Sequence, residues 1–146
     1  MTLRAWAQLA LVSFVFALGC PVKASISFSE AATLTPTFDK ATQMVSVQIR
    51  IADGFHAYAA GETIGKPVEM LIKPLNGWKV NGTAILPQGK EITLKSLQKS
   101  VILDGLFTVK AKVYDGKGPV AGEVHLQVCS DDACDRPRVY PFTVGL

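Results

Sequence analysis

Several features that mark common protein classes are missing from this sequence. No cluster of lysine and arginine residues is interleaved with aromatic residues, so the electrostatic footprint of a nucleic-acid groove is absent. No apolar run beyond Gly19 is long enough to cross a bilayer as a helix. No Gly-x-Ser-x-Gly element marks a serine nucleophile. We therefore expect neither a nucleic-acid partner nor a serine hydrolase.

Histidine is scarce, with only His56 and His125 in the chain. The two lie far apart, and no carboxylate or cysteine joins them at the spacing of metal ligands. The sequence thus predicts no metal site, and we expect no cofactor.

Cysteine is also scarce, and the first of the three cysteines lies in a segment that is typical of an export signal. Arg4 supplies a positive charge, residues 5–19 are almost wholly apolar, and Val22 and Ala24 of the segment 22–24 offer small side chains at the positions that a signal peptidase reads. We predict a signal peptide over residues 1–24, cleaved after Ala24. The remainder, residues 25–146, is expected to be a single domain located in the periplasm.

The residues around Cys20 leave a second interpretation open. Ala17-Leu18-Gly19-Cys20 resembles a lipoprotein signal, in which the cysteine is acylated and becomes the first residue of the mature chain. The protein would then be anchored to the membrane at Cys20, its only expected membrane contact. In both cases Cys129 and Cys134 are the remaining thiols, and an even pair in an oxidising compartment is typical of a disulfide.

The exported part alternates between apolar and polar residues with the period of half-buried strands. The clearest runs cover residues 44–52, 107–113 and 124–128, and a last strand is predicted over residues 139–144. Asp-Gly and Asn-Gly dipeptides separate these runs, and residues 90–99 fit a strand, a helical turn or an ordered loop. Several short strands between turn signals, with no convincing amphipathic helix, predict an all-β sandwich.

Cys129 and Cys134 enclose four residues directly after a predicted strand, and Pro137 follows before the last strand. The pair therefore flanks a tight connection between antiparallel neighbours, where Cα atoms approach the roughly 5.5–6 Å that suits a disulfide. As a staple the bridge contributes little, since closing about six residues is worth only about 2 kcal/mol. A short exposed ring is, however, open to attack by a thiolate. The residues alone leave a structural staple and a redox-active pair both open.

Charged residues near the pair have opposite effects on a thiolate. Asp131, Asp132 and Asp135 disfavour one, whereas Arg136 and Arg138 favour one. Because the acidic residues lie closer in sequence, we expect thiols that stay unreactive until a partner docks.

Three segments, taken together, resemble the amino-terminal periplasmic domain of DsbD, the bacterial thiol:disulfide interchange protein. They are Gly54-Phe55-His56-Ala57-Tyr58, Leu86-Pro87-Gln88-Gly89, and the cysteine segment that runs from Val128 to Pro137. Their order and spacing match over most of residues 28–144.

This resemblance implies an immunoglobulin-like antiparallel β-sandwich with the cysteine pair at one end. It also implies a thiol:disulfide oxidoreductase in which Cys129 and Cys134 are the catalytic pair and Cys134 is the attacker. Electrons would come from a membrane-embedded thiol reductase, DsbD-like or CcdA-like. They would pass to oxidised periplasmic proteins of the thioredoxin fold, including those of disulfide isomerisation and cytochrome c maturation. By position, the residues implied to line the site are His56, Tyr58, Asp131, Asp132 and Pro137.

The cap of the site departs from the family pattern. The family covers its cysteines with a loop that bears an aromatic residue, and residues 93–98 contain none. We expect Leu94 or Leu97 to shield the sulfurs instead. The missing aromatic residue favours the alternative function, a non-catalytic immunoglobulin-like binding module with a structural disulfide.

Two further departures concern partners. After the second cysteine the chain has Asp135 and Arg136 and keeps only the family's Pro137, so the docking surface is expected to differ. No membrane or thioredoxin-like domain follows in this sequence, so the electron donor is expected to be a separate protein.

Overall fold

The computed structural model describes residues 25–145, which fold into strands and turns with no α-helix in that range. Residues 1–24, with the predicted signal peptide and Cys20, lie outside the described residues, so cleavage and lipidation stay predictions. Within residues 25–145 no helix has the length and apolarity needed to cross a membrane.

Eleven strands follow one another within the described range. They are β1 (Ala32–Asp39), β2 (Met44–Ile51), β3 (His56–Tyr58), β4 (Glu69–Ile72), β5 (Lys79–Val80), β6 (Lys90–Thr93), β7 (Lys99–Leu103), β8 (Leu106–Tyr114), β9 (Val120–Leu126), β10 (Val128–Cys129) and β11 (Arg138–Val144).

The strands form three sheets with the orders β1-β2-β8-β5, β11-β9-β4 and β10-β3-β7-β6. All pairings between these strands are antiparallel. Buried side chains of the first two sheets form one hydrophobic cluster, so these sheets are the two layers of a sandwich. The all-β sandwich predicted from the alternation is therefore confirmed.

The inward-facing residues are those that the period of two predicts. In β2 the side chains of Val45, Val47 and Ile49 are fully buried. Their partners across the β2–β8 ladder are the buried residues Ala111, Val109 and Phe107. Because directly opposite residues share a face, this register places two apolar rows on the same side of the sheet.

The third sheet lies at one end of the sandwich and holds the cysteines. The ambiguous stretch of residues 90–99 is a hairpin there: β6 and β7 pair from Lys90↔Ile102 to Thr93↔Lys99, and residues 94–98 form the connecting loop. Leu97 N–H donates to Leu94 O at 2.9 Å, and Leu97 adopts a φ of 64°. This tight turn brings the loop back over the sheet edge.

Candidate functional site

The position of Cys129 depends on a break in the strand that precedes it. The predicted strand over residues 124–128 is split at Gln127: β9 stays in the sandwich, whereas β10 pairs with β3. The Gln127 side chain fixes this switch, because its Nε2 donates to Asp135 O at 3.0 Å. Its Oε1 accepts a hydrogen bond from Lys66 N–H at 2.7 Å. Cys129 consequently lies opposite His56 of β3.

Cys129 and Cys134 form a disulfide across the hairpin that follows. Ser130 N–H donates to Ala133 O at 2.8 Å, and Asp135 N–H donates to Val128 O at 2.9 Å. The cysteines are thus a non-hydrogen-bonded antiparallel pair, the position at which Cα atoms approach most closely. Their Cα separation is 4.0 Å, shorter than the roughly 5.5–6 Å expected from the sequence, for this reason.

The two cysteines differ in their access to solvent. Cys129 is fully buried and packs in a small cluster with Tyr58 and Ile102. Cys134 is exposed at the protein surface. Because thiol–disulfide exchange requires direct approach to a sulfur, the geometry leaves Cys134 as the accessible member of the pair.

Two aromatic side chains from β3 lie beneath the exposed cysteine. The Tyr58 hydroxyl lies 3.7 Å from Cys134 Sγ, and the His56 ring packs edge-on against the Tyr58 ring at 5.7 Å. Burial raises the pKa of Tyr58, with a further contribution from the Glu62 charge. Burial also lowers the pKa of His56, which outweighs the opposing charges of Asp131 and Asp104. Both side chains are therefore neutral at pH 7.

A surface pocket of about 310 Å³ separates the cysteine hairpin from the loop of residues 94–98. Leu94 lines this pocket, whereas Leu97 is 85% exposed and lies outside it. Lys95 spans the pocket and forms an ion pair with Asp132 of the hairpin. The loop is thus tied to the hairpin by charge, at the place where the sequence suggested only apolar cover.

The predicted site residues divide into two groups. The structure brings His56, Tyr58, Leu94, Asp131, Asp132 and Cys134 together around the pocket. Pro137 is exposed and, like Leu97, does not line it. Beside Pro137, the Arg138 guanidinium binds the Asp135 carboxylate and lowers its pKa.

Lys95, Glu62 and Gly65 were not predicted to take part in the site. Lys95 lies in the loop that the sequence singled out, and the opposite charge of Asp132 was the available signal. Glu62 accepts hydrogen bonds from Ser100 and Val101, nearly forty positions away, and Gly65 lies so close to the Tyr58 ring that a Cβ atom would not fit. Sequence spacing gives no signal for the long-range contacts of Glu62, and the close approach of Gly65 to the ring depends on how the intervening loop folds.

The described part of the chain has no group of three or more His, Cys, Asp or Glu side chains arranged to hold a metal ion. His56 lines the pocket between the cysteine hairpin and the loop of residues 94–98, here called the sulfur pocket. His125 lies in β9, where its Nε2 is 2.9 Å from Glu123 Oε1. The two histidines therefore belong to different sheets.

Comparison with known families gives a match over most of the chain. The model of the family described as "Thiol:disulfide interchange protein DsbD, N-terminal" matches residues 24–143. No curated protein matches the sequence.

Three solved structures share the fold. The reduced N-terminal domain of DsbD from Neisseria meningitidis is 16% identical, with a TM-score of 0.59 over 83% of this chain and 90% of that chain. A chain from the complex between the DsbD and PilB N-terminal domains of the same organism is 18% identical, with a TM-score of 0.61 over 81% and 85%. The N-terminal periplasmic domain of ScsB from Proteus mirabilis is 17% identical, with a TM-score of 0.57 over 84% and 49%. The predicted immunoglobulin-like architecture is confirmed by this likeness.

Proposed function

Since this chain belongs to the family of DsbD N-terminal domains, we propose that it is a periplasmic thiol:disulfide oxidoreductase whose redox pair is Cys129 and Cys134. In the proposed role it receives electrons from a membrane-embedded thiol reductase and passes them to oxidised periplasmic proteins. One observation carries the proposal: Cys134 is an exposed residue that lines a pocket, and its bridge partner Cys129 is fully buried.

The exposed sulfur defines the chemistry of the reduced protein. The Cys134 thiolate attacks one sulfur of a partner disulfide, so the partner S–S bond breaks and a mixed disulfide forms. The partner sulfur that is released takes up a proton. Cys129 then loses its proton and attacks Cys134 Sγ, which closes the bridge and releases the second partner thiol. Two electrons and two protons have passed from this chain to the partner.

Regeneration reverses these steps at the same atom. A thiolate of the reductase attacks Cys134 Sγ, and the buried Cys129 leaves as the thiolate and is protonated. A second reductase thiol then loses its proton and attacks the reductase sulfur of the mixed disulfide. The reductase disulfide forms, and Cys134 is released and protonated. Both half-reactions thus pass through a mixed disulfide at Cys134, because Cys129 is inaccessible while the hairpin is folded.

The partners are proposed to be proteins of the thioredoxin fold that dock at the hairpin end. A related DsbD N-terminal domain forms a complex with the PilB N-terminal domain, which supports a protein domain as the partner. The related ScsB domain is periplasmic, which supports the same location here. Export with cleavage after Ala24, or anchoring at Cys20, remains part of the proposal.

Single-cysteine variants in the native host test the role. The Cys129→Ser variant retains the exposed thiol, cannot resolve a mixed disulfide, and is expected to accumulate covalent adducts that disappear on reduction. Non-reducing electrophoresis with mass spectrometry identifies the partners. Cys134→Ser is the matched control, because its remaining thiol is buried. Adducts recovered only from Cys134→Ser would reverse the assignment of the attacking cysteine.

A redox titration separates exchange from a structural staple. An exchanging pair is expected to be reducible by glutathione or thioredoxin systems, whereas a staple typically has a potential below about −300 mV. A bridge that stays closed in such buffers, with no adducts from either variant, would establish the binding-module alternative.

A further inference from the structure

Residues 59–68, here called the Glu62 segment, fold back over Tyr58 and are fastened at both ends. Ala59 N–H donates to Val101 O at 2.9 Å, and Val68 N–H donates to Tyr58 O at 3.0 Å. The first residue of the segment is therefore hydrogen-bonded to β7, and its last residue is hydrogen-bonded to the end of β3. The segment thus loops around Tyr58, whose side chain contacts Cys134.

Between these ends, the Glu62 carboxylate fastens the segment to β7. Its Oε2 accepts hydrogen bonds from Val101 N–H and from the buried Ser100 hydroxyl, both at 2.8 Å. Its Oε1 accepts bonds from Thr63 N–H at 2.7 Å and Ile64 N–H at 3.1 Å. These donors, the Val101 amide foremost, lower the pKa of Glu62 to about 2, so the carboxylate is ionised at neutral pH.

The segment makes close contact with Tyr58 at Gly65. A Cβ atom at this position would lie 1.9 Å from Tyr58 Cε2 and 2.2 Å from Cδ2, so the Gly65 backbone lies directly against the ring. Tyr58 also packs with Ile102 and Cys129. The ring is consequently held by the segment as well as by the small apolar cluster.

The Tyr58 hydroxyl acts on the exposed sulfur. A sulfur atom of a disulfide carries no proton, so in the oxidised protein the Tyr58 O–H is the donor to Cys134 Sγ at 3.7 Å. In the reduced protein the same donor faces a thiolate, a charged and therefore stronger acceptor. A hydrogen bond to the charged form favours that form.

We propose that Glu62 is a positioning residue for the sulfur chemistry: it fastens the segment that holds Tyr58 in hydrogen-bond contact with Cys134 and thereby raises the thiolate fraction of Cys134. The inference rests on the proposed function, because it concerns the sulfur that attacks partners. Tyr58 acts on the reacting atom, and Glu62 acts through Tyr58.

The test measures the thiolate of the full-length protein in a Cys129→Ser background, where Cys134 is the pocket's thiol. Ultraviolet absorbance follows its titration, and iodoacetamide alkylation at pH 7 gives its rate. Glu62→Gln removes the charge and is expected to raise the pKa of the Cys134 thiol. Each tenfold loss of thiolate slows alkylation about threefold, since a more basic thiolate is also more nucleophilic.

A double-mutant comparison separates positioning from a general structural role. Tyr58→Phe is expected to raise the same thiol pKa, and adding Glu62→Gln to it is expected to change nothing further. Glu123→Gln is the matched control, because Glu123 is a hydrogen-bonded carboxylate on β9, outside the sulfur pocket. An unchanged titration in Glu62→Gln, or an equal effect in the Tyr58→Phe background, would overturn the inference.

Gly65 offers an independent test that does not alter charge. Gly65→Ala must displace the Tyr58 ring or the segment, so it is expected to reproduce the slower alkylation. Gly116→Ala is its matched control, because the added Cβ would lie 2.1 Å from the Trp78 ring, away from the sulfurs. Both variants lose stability, and only the first is expected to change Cys134. If Gly65→Ala alkylates as fast as Gly116→Ala, the segment does not position Tyr58.

The two proposals fail in distinguishable ways. If the wild-type protein exchanges with partners but Glu62→Gln leaves the titration of Cys134 unchanged, only the positioning role is contradicted. A wild-type bridge that resists reduction and traps no partner contradicts the proposed function, whatever the single thiol does in the Cys129→Ser background.

Discussion

His56 carries an uncharged imidazole beside the sulfurs because its surroundings penalise a proton. The side chain is 5% exposed and lies opposite Cys129 on the β3–β10 ladder. Desolvation lowers its pKa, and the attraction of Asp131 and Asp104 offsets this only in part. Protonation of His56 therefore works against the folded hairpin end.

This burial predicts a loss of stability in mild acid. The unfolded chain takes up a proton at His56 near pH 6.5, and the folded chain does so only at lower pH. Between these two values the unfolded state binds more protons, so the free energy of unfolding falls as the pH falls. The contribution is fully present above pH 6.5 and is lost as the pH drops through the folded pKa. Urea unfolding between pH 7.5 and pH 5 is the measurement.

His56→Gln is expected to flatten this part of the pH profile, because it removes the titrating group. His125→Gln is the matched control on the other sheet and is expected to keep the slope that His56 causes. An unchanged slope in His56→Gln would assign the acid sensitivity to other groups.

Sequence reasoning found the residues whose chemistry is carried by type and local spacing. Cys129 and Cys134 fall in this class, since a thiol pair is visible in one dimension, whereas Tyr58 was assigned to the site by the family resemblance. Glu62 was missed because its hydrogen-bond donors on β7 come close to it only through tertiary packing. The same applies to Gly65. Only the position of the Tyr58 ring shows that a Cβ atom at residue 65 would not fit.

At the scale of elements, strand periodicity predicted which side chains before Cys129 are buried. It did not predict which sheet each part of that stretch joins. Val124, Leu126 and Val128 are all buried, as the alternation predicts. The backbone nevertheless leaves the sandwich at Gln127 and joins β3, because the Gln127 amide binds two separate loops. A period of two continues across such a switch, so it carries no information on which strand is the neighbour.

The loop of residues 94–98 closes the pocket through a weak ion pair. The Lys95 and Asp132 side chains are 65% and 77% exposed. Exposed pairs of this kind contribute at most about 1 kcal/mol, because solvent screens them and ordering costs side-chain entropy. The loop is therefore expected to open readily when a partner approaches Cys134.

Truncating either member of this pair is expected to speed reduction of the bridge by dithiothreitol about two- to fivefold, the range that 1 kcal/mol or less allows. The attacking thiolate is an anion, so loss of the Lys95 charge alone would slow it and loss of the Asp132 charge alone would speed it. Faster reduction in both Lys95→Ala and Asp132→Ala therefore reports opening of the loop. The measurement is the pseudo-first-order rate of bridge reduction.

Lys99→Ala is the matched control for the loop. Lys99 binds Glu91 at 2.8 Å within the same hairpin and does not reach the cysteines. Its truncation is expected to leave the rate unchanged. Opposite effects of Lys95→Ala and Asp132→Ala would show that charge acts on the attacker and that the ion pair does not hold the loop.

For the whole molecule, the sulfurs lie outside the main hydrophobic cluster, although the third sheet contributes Ala57, Leu103 and Val128 to it. The main cluster joins buried residues of both sandwich layers, whereas Cys129 packs with Tyr58 and Ile102 in its own small cluster. The sequence predicted the two layers because alternation over long strands is set by burial. It did not predict the third sheet, in which all four strands have five residues or fewer and β6 is mostly exposed.

This separation predicts that the protein stays folded in both redox states. Opening a ring of about six residues costs about 2 kcal/mol in the chain-entropy estimate, which corresponds to a fall of about 8 °C in the melting temperature for a domain of this size. Leu126→Ala, a truncation in the fully buried core, is expected to cost more, about 2–5 kcal/mol. Thermal unfolding followed by far-ultraviolet circular dichroism, with and without reductant, compares the two effects. If reduction alone abolished the cooperative transition, the bridge would be a structural requirement of the fold, and repeated opening during electron transfer would be incompatible with a native protein.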